Sequence, residues 1–376
     1  MLLLLSSLWG ATGGIPAFNR LLVRAAASFC AEREERLVVV ALTDPQPGQP
    51  GPGPRSGQAM PAWFEQSLAV AALAPGWYRP CGGQRAELVA HALRQARRHA
   101  ATICGHVNLA PLGLLASRFG VVAHGTEVWH KLPWSRRLAL RRATAVACVS
   151  EHTRGAVAQV QGVPPPHLIR VINALDEATA ARAQQLRSEP APLADRDTDR
   201  PLRVLSVTRL HPAEPKGIDL VIEALAGLPE VRYTVVGEGD AIGPLKERAR
   251  RLGVADRVRF LGALADAERD LELRRCDVFA LPSSGEGFGI AYLEAMAYGK
   301  PCLCAQVGGA PEVVLDGATG LAVVPSVQAV RDGLVRLADP ALRLRLGEAG
   351  ARRVAEHFST ERFLHFARDF FLRLVL

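Results

Sequence analysis

The chain reads as an α/β protein built from two doubly wound units. Three observations predict this. At 376 residues it is long for one domain and suits two. Apolar runs of strand length alternate with helical patterns in both halves, as parallel sheets covered on both faces require. Between the halves, residues 177–200 turn Ala-rich and then run SEPAPLADRDTDR, which reads as an interdomain linker.

The elements follow in order. The start, MLLLLSSLWGATGG, has no basic segment and only a short apolar run, so residues 2–8 read as a first buried strand rather than a signal peptide. Residues 37–42 (LVVVAL), 121–123 and 145–149 (AVACV) are further buried strands, and residues 18–36, 85–98 and 136–142 are helical. Residues 44–61 are a Pro/Gly loop. The second unit starts at Leu202, with strands at 203–208, 232–237, 258–262, 276–282 and 302–307. Helices are expected from Gly217 and over 244–252. Residues 360–376 form an amphipathic, Phe-rich last helix. The organisation expected is 1–176, a linker over 177–200, a second domain over 201–358, and a terminal helix over 359–376.

Bulk composition excludes several classes. Hydrophobic content of 49% and charged content of 22% suit a globular protein. No run reaches the ~18 apolar residues of a membrane span. Seven cysteines without a C-x-x-C pair argue for reduced thiols in a cytoplasm, and against a disulfide framework or zinc site. The D-x-D matches at Asp195, Asp197 and Asp199 fall in the linker without a preceding buried strand, so no metal site is read there.

The net charge of +8 lies wholly in residues 1–178, which hold 18 Lys+Arg against 10 Asp+Glu. Much of it is in Arg94–His99 and Trp134–Arg142. One reading is a solvated helix face; the functional one is attraction to an anionic membrane surface or an acidic acceptor. Nucleic acid is not favoured, because no aromatic interleaving accompanies the basic residues.

The chemistry concentrates in SSGEGFGIAYLEAMAY, Ser283–Tyr298. Glu286 sits in a Gly-rich turn, and Glu294, eight residues on, inside a helix. At ~1.5 Å rise per residue the carboxylates stand roughly 12 Å apart, beyond the ~5–10 Å of a hydrolytic pair. The spacing suits a longer ligand with a hydroxyl-rich group at each end, and the helix start between them suits phosphate. Arg209 and Lys216 follow a strand, where two cations suit a diphosphate whose charge grows as a glycosidic bond breaks. Lysine is scarce in this Arg-rich chain, so Lys216-Gly217 reads as a chosen point charge. Gly13 and Gly14 follow the first strand and allow close backbone approach to a phosphate. HGTE, His124–Glu127, ends another strand, with Glu127 as a loop-shaping residue. Weaker candidates are 237–239 and the 259–262 backbone, near a base.

The run PSSGEGFGIAYLEAMAYGKPCLCAQVGGAPEVVLDGATGLAV resembles the donor-binding signature of retaining glycosyltransferases of family 4. These have the GT-B fold, two Rossmann-like doubly wound domains facing across a cleft. The resemblance is sharp over 203–324 and softer over 1–178. It implies a metal-independent, retaining transfer of a sugar from a nucleoside-diphosphate sugar to an acceptor hydroxyl, with no cofactor beyond that co-substrate. Catalytic roles fall on His124, Arg209, Lys216 and Glu286. Donor contacts fall on Gly13, Gly14, Arg209, Lys216, Glu286, Gly287, Phe288, Gly289, Ile290 and Glu294. His124 would hydrogen-bond the reacting sugar. The loop before Lys216 is about two residues longer than the common pattern. The alternatives are a GT-B nucleotide-sugar epimerase and a non-catalytic nucleotide-sugar-binding module. The donor, the acceptor (glycan, lipid-linked sugar or small molecule) and the oligomeric state stay open. The expected location is cytoplasmic, with the basic helices as the basis for peripheral contact at the inner membrane face.

Overall fold

The computed structural model describes residues 1–9, 13–46, 73, 76–189 and 200–376. It divides into Met1–Asn173 with Thr360–Leu376, and Ala174–Ser359. Each unit is built on one parallel sheet.

In the first unit the strands are β1 (Leu2–Leu5), β2 (Val38–Ala41), β3 (Tyr78–Pro80), β4 (Thr102–Cys104), β5 (Phe119–Ala123), β6 (Ala145–Cys148) and β7 (Leu168–Arg170). Their order is β3-β2-β1-β4-β5-β6-β7, all parallel. All four leucines of β1 are buried, because its two faces both lie under helices. The helices are α1 (Gly14–Glu32), α2 (Arg85–Gln95), α3 (Ala110–Gly113), α4 (Thr126–Trp129), α5 (Trp134–Arg142) and α6 (Glu151–Ala156). Leu88 and Ala92 of α2 share one apolar cluster with Leu2 and Leu4 of β1 and with Ala139 and Leu140 of α5. Both helices therefore cover the same sheet face. The short strands β3, β4 and β7 were not among those expected. Each has only three residues, too few to show a periodicity.

The second unit carries β8 (Leu202–Val207), β9 (Val231–Val236), β10 (Val258–Gly262), β11 (Val278–Leu281), β12 (Cys302–Ala305) and β13 (Gly320–Val323). Their order is β10-β9-β8-β11-β12-β13, again parallel. Its helices are α7 (Glu177–Ser188), α8 (Ile218–Ala224), α9 (Ile242–Arg251), α10 (Asp266–Arg275), α11 (Ile290–Ala297), α12 (Ala310–Val313), α13 (Val327–Arg336) and α14 (Pro340–His357).

Helix α7 corrects the linker reading of 177–200. Asp176 caps it by accepting from Thr179 N at 2.9 Å, and Arg182 pairs with Asp270 at 3.0 Å. That capped, salt-bridged helix belongs to the second unit. Residues 190–199, with the D-x-D matches, lie outside the described residues, as does most of the Pro/Gly loop.

The last helix, α15 (Thr360–Val375), belongs to the first unit. Phe363, Phe370 and Phe371 are fully buried. Phe363 meets Phe18 edge-on at 5.1 Å, and Phe371 lies 5.4 Å from Phe29, both on α1. A Cβ on Gly120 of β5 would come within 2.5 Å of the Phe370 ring, so that glycine admits the helix to the sheet.

Candidate active site

In an open doubly wound sheet, ligands bind beyond the carboxyl ends of strands, where the strand order reverses. The second sheet reverses between β8 and β11. The loops leaving those two strands carry Arg209, Lys216 and Glu286. They are laced together: Ser284 N donates to Pro215 O at 3.3 Å, as does the Ser283 hydroxyl. Gly217 has φ +72°, and a Cβ there would meet the Pro282 carbonyl at 2.3 Å. Lys216-Gly is thus a packing requirement as well as a charge.

Lys216 Nζ lies 3.3 Å from Glu286 Oε2 and 3.9 Å from Glu214 Oε2. Both members of the first pair are largely withdrawn from solvent, with side chains 14% and 17% exposed. Arg209 stands further out, 61% exposed, with Glu214 at 3.5 Å. The extra loop residues before Lys216 thus supply a carboxylate that engages both cations.

The Glu286 turn is held from a third loop. Gly309 N donates to Glu286 O at 2.8 Å, and a Cβ on Gly309 would strike the Gly287 carbonyl at 2.2 Å. Gly289, at φ +96°, is the N-cap of α11, so the amides of Ile290 and its successors open toward the Glu286 turn. Phe288 is buried against Phe358, with ring centroids 5.7 Å apart, so what it offers a ligand is its backbone. Gly237 and Gly239 serve packing: a Cβ on either would collide with Thr208 O or Leu210 O.

Glu294 lies in the middle of α11, half-buried. None of the hydrogen bonds among the described residues reaches its carboxylate. Burial raises its pKa, and Asp176, Asp266 and Asp270 add to the rise, while Arg269 opposes it. Arg269, itself paired with Asp266 at 3.0 Å, is a neighbour the sequence did not single out.

In the first unit the reversal falls between β1 and β4. The carboxyl ends of β1, β4 and β5 bring together Gly13, Gly14, Gly105, His106 and His124. Gly13, at φ +118°, is the N-cap of α1, and Gly14 its first residue. His124 Nε2 donates to Gly105 O at 2.8 Å, and its backbone N–H donates to Glu127 Oε1 at 2.5 Å. Glu127 shapes the loop. The His124 ring meets Phe18 edge-on at 5.1 Å and stacks on His106 at 5.8 Å. Burial holds His124 below the usual imidazole range, although Glu127 and the Gly105 carbonyl pull the other way. His106 Nδ1 accepts from Asn108 N at 3.0 Å, and burial beside His124 pushes its pKa down to about 4. Both rings are neutral at pH 7. His106 was not anticipated; its signal was a second histidine just past a buried strand too short to recognise. Among the described residues, no group of three or more His, Cys, Asp or Glu is placed to hold a metal ion.

Comparison with known proteins shows the family and the fold. A family model described as glycosyl transferases group 1 matches residues 195–353. The GDP-mannose-dependent alpha-(1-6)-phosphatidylinositol monomannoside mannosyltransferase of Mycolicibacterium smegmatis is 38% identical over 268 residues, 64% of this chain and 68% of that protein. The GDP-mannose-dependent monoacylated alpha-(1-6)-phosphatidylinositol monomannoside mannosyltransferase of Corynebacterium glutamicum is 32% identical over 279 residues, 67% of this chain and 71% of that one. Of the proteins of the first name from two strains of Mycobacterium tuberculosis the chain covers 63% of the length. In fold, Anabaena HepE solved with UDP and glucose matches with a TM-score of 0.74 at 21% identity, over 99% of this chain and 98% of that one. Sucrose-phosphate synthase of Thermosynechococcus elongatus matches with 0.73 at 21%, over 99% and 98%.

Proposed function

Since the chain belongs to the group 1 glycosyl transferases, family-4-like proteins of the GT-B type, we propose that it moves a sugar from a nucleoside-diphosphate sugar to an acceptor hydroxyl. The transfer retains anomeric configuration and uses no metal ion. The observation that carries this reading is the Lys216–Glu286 pair at the β8/β11 reversal, beside the amides of α11.

The pair divides the work. Lys216 and Arg209 meet the diphosphate, whose charge grows as the glycosidic bond lengthens. Glu286 accepts from sugar hydroxyls and holds the Lys216 ammonium in place. Glu294 takes the two vicinal ribose hydroxyls in charge-assisted hydrogen bonds. The departing phosphate accepts the acceptor's proton on the face it leaves. A neutral His124 hydrogen-bonds the sugar without placing a positive charge beside an oxocarbenium-like centre. All four sequence relatives named above are GDP-mannose-dependent, so GDP-mannose is the first donor to assay. The test is a nucleotide-sugar panel scored for hydrolysis and transfer, with the product anomer read by NMR. Epimerised nucleotide sugar, or binding without turnover, would replace this reading by one of its alternatives. Full activity in excess EDTA is expected; a strict Mg²⁺ requirement would overturn the metal-free mechanism.

The acceptor we propose is lipid-linked, met at an anionic membrane surface. Residues 85–142 contain ten Lys+Arg and two Asp+Glu. On the layer formed by α2 and α5, Arg94, Arg97, Arg98, Arg141 and Arg142 are exposed. So are Leu93 and Trp134, at 61% and 78%. No helix among the described residues is long and apolar enough to cross a membrane, so contact would be peripheral. Each basic residue near such a surface contributes about 1 kcal/mol. Reversing Arg94, Arg97, Arg98 and Arg141 to Glu should abolish sedimentation with anionic vesicles and spare donor hydrolysis. A wild-type protein that ignores such vesicles at low salt would point instead to a soluble acceptor.

A further inference from the structure

Ser7–Trp9, the segment leading from β1 toward Gly13, is gripped by polar side chains from two directions. Asp44 stands just past β2 and is fully buried. Its Oδ1 accepts from the Ser7 hydroxyl at 2.6 Å and from Trp9 N at 3.0 Å. Leu8 N lies 2.9 Å from both carboxylate oxygens. Oδ2 also accepts from the Tyr78 hydroxyl at 2.6 Å, the one contact of this set outside the segment. From α1, Asn19 Nδ2 donates to Ser7 O at 2.8 Å, and Arg20 donates to Leu8 O at 2.9 Å. The Arg20 guanidinium also lies 5.0 Å over the Trp9 ring.

A buried carboxylate is costly unless its lone pairs are satisfied. Of the four donor groups named here three come from Ser7–Trp9, and α1, which Gly13 and Gly14 open, holds the same segment through Asn19 and Arg20. General stability does not require this concentration. We propose that Asp44 is a positioning residue for sugar transfer: it fixes Ser7–Trp9, against which Asn19 and Arg20 seat α1, and so aims the Gly13 and Gly14 amides at the helix start toward the donor phosphate. This rests on the assignment of those glycines to the donor. Misplacement of a group far from the bond being broken costs up to about 100-fold in rate. Phosphate charge grows toward the transition state, so that cost falls on turnover rather than on donor affinity.

Asp44→Asn keeps the volume but turns one acceptor into an N–H₂ that faces other donors. It should lower kcat for transfer roughly 10- to 100-fold, with donor KM and nucleoside-diphosphate affinity each within about threefold of wild type. Tyr78→Phe removes the contact outside the segment and should lower the melting midpoint while leaving kcat unchanged. Ser7→Ala removes one contact inside it and should show a milder loss of kcat alone, which keeps the question open to test if Asp44→Asn does not fold. Kinetics are read well below every melting midpoint. An active wild type with Asp44→Asn or Ser7→Ala at full kcat would overturn the inference. So would equal losses in Tyr78→Phe and Asp44→Asn, which would mark Asp44 as a stability residue. A wild type inactive on every donor would instead overturn the functional reading on which it rests.

Discussion

Lys216→Ala should lower turnover by about 100- to 1,000-fold, the loss typical when one preorganised donor to a developing anion is removed. Donor affinity should change by less than about tenfold, because in the proposed site the ground-state diphosphate would also be met by the α11 amides and Arg209. The geometry explains the asymmetry. Lys216 is sunk between two loops, 3.3 Å from Glu286, and its ammonium reaches little solvent. A compact charge in that position is worth most where charge is accumulating. Arg209, largely exposed and loosely paired with Glu214, should show the same pattern at smaller amplitude. Lys216→Arg is not a conservative control, since it replaces a compact point charge by a planar, delocalised fork. The measurement is kcat by product release and donor Kd by calorimetry. Equal losses in both would mean that Lys216 binds the diphosphate uniformly and has no special role in bond breaking.

Glu294→Gln separates binding from stability. Its carboxylate is half-buried, and none of the hydrogen bonds among the described residues reaches it. Burial and three nearby aspartates raise its pKa, and Arg269 only partly offsets them. A carboxyl whose folded pKa lies above its unfolded value favours folding at low pH, and that contribution is lost as pH rises through the folded value. At pH above that folded value the ionised Glu294 therefore destabilises the fold, and there Glu294→Gln should melt no lower than wild type. The same substitution would remove the charge-assisted acceptor proposed for the ribose diol. That loss, about 1.5–3 kcal/mol, corresponds to roughly 10- to 150-fold in donor affinity. Wild-type donor affinity should also weaken on acidification, beginning at a higher pH than an ordinary carboxylate would show, and Glu294→Gln should lack that dependence. Unchanged donor affinity in the variant would remove Glu294 from the ribose.

Much of this was legible before any coordinates. Chemistry that depends on neighbours in sequence was readable: the eight-residue spacing of Glu286 and Glu294, the glycine after Lys216, and the double glycine opening α1. Each is set by the reach of a turn or the pitch of a helix, and the structure places each of them at a strand end or on a helix. Long apolar strands such as β1 and β8 announced themselves because burial on both faces demands a continuous apolar run.

Other features depended on partners far along the chain. Asp44 belonged to a Pro/Gly loop in sequence, and only the packing of β2 beside β1 turns its carboxylate into the anchor of Ser7–Trp9. His106 follows a three-residue strand and gains meaning from the ring of His124, eighteen positions later. The residues read as linker hold a helix because Asp176 caps it and Arg182 finds Asp270, eighty-eight residues away. The last helix could have covered either unit by its pattern alone. Its placement was decided by the fit of Phe370 over Gly120 and of Phe363 against Phe18. Periodicity says that a face must be buried; shape and volume complementarity, known only in three dimensions, say against what.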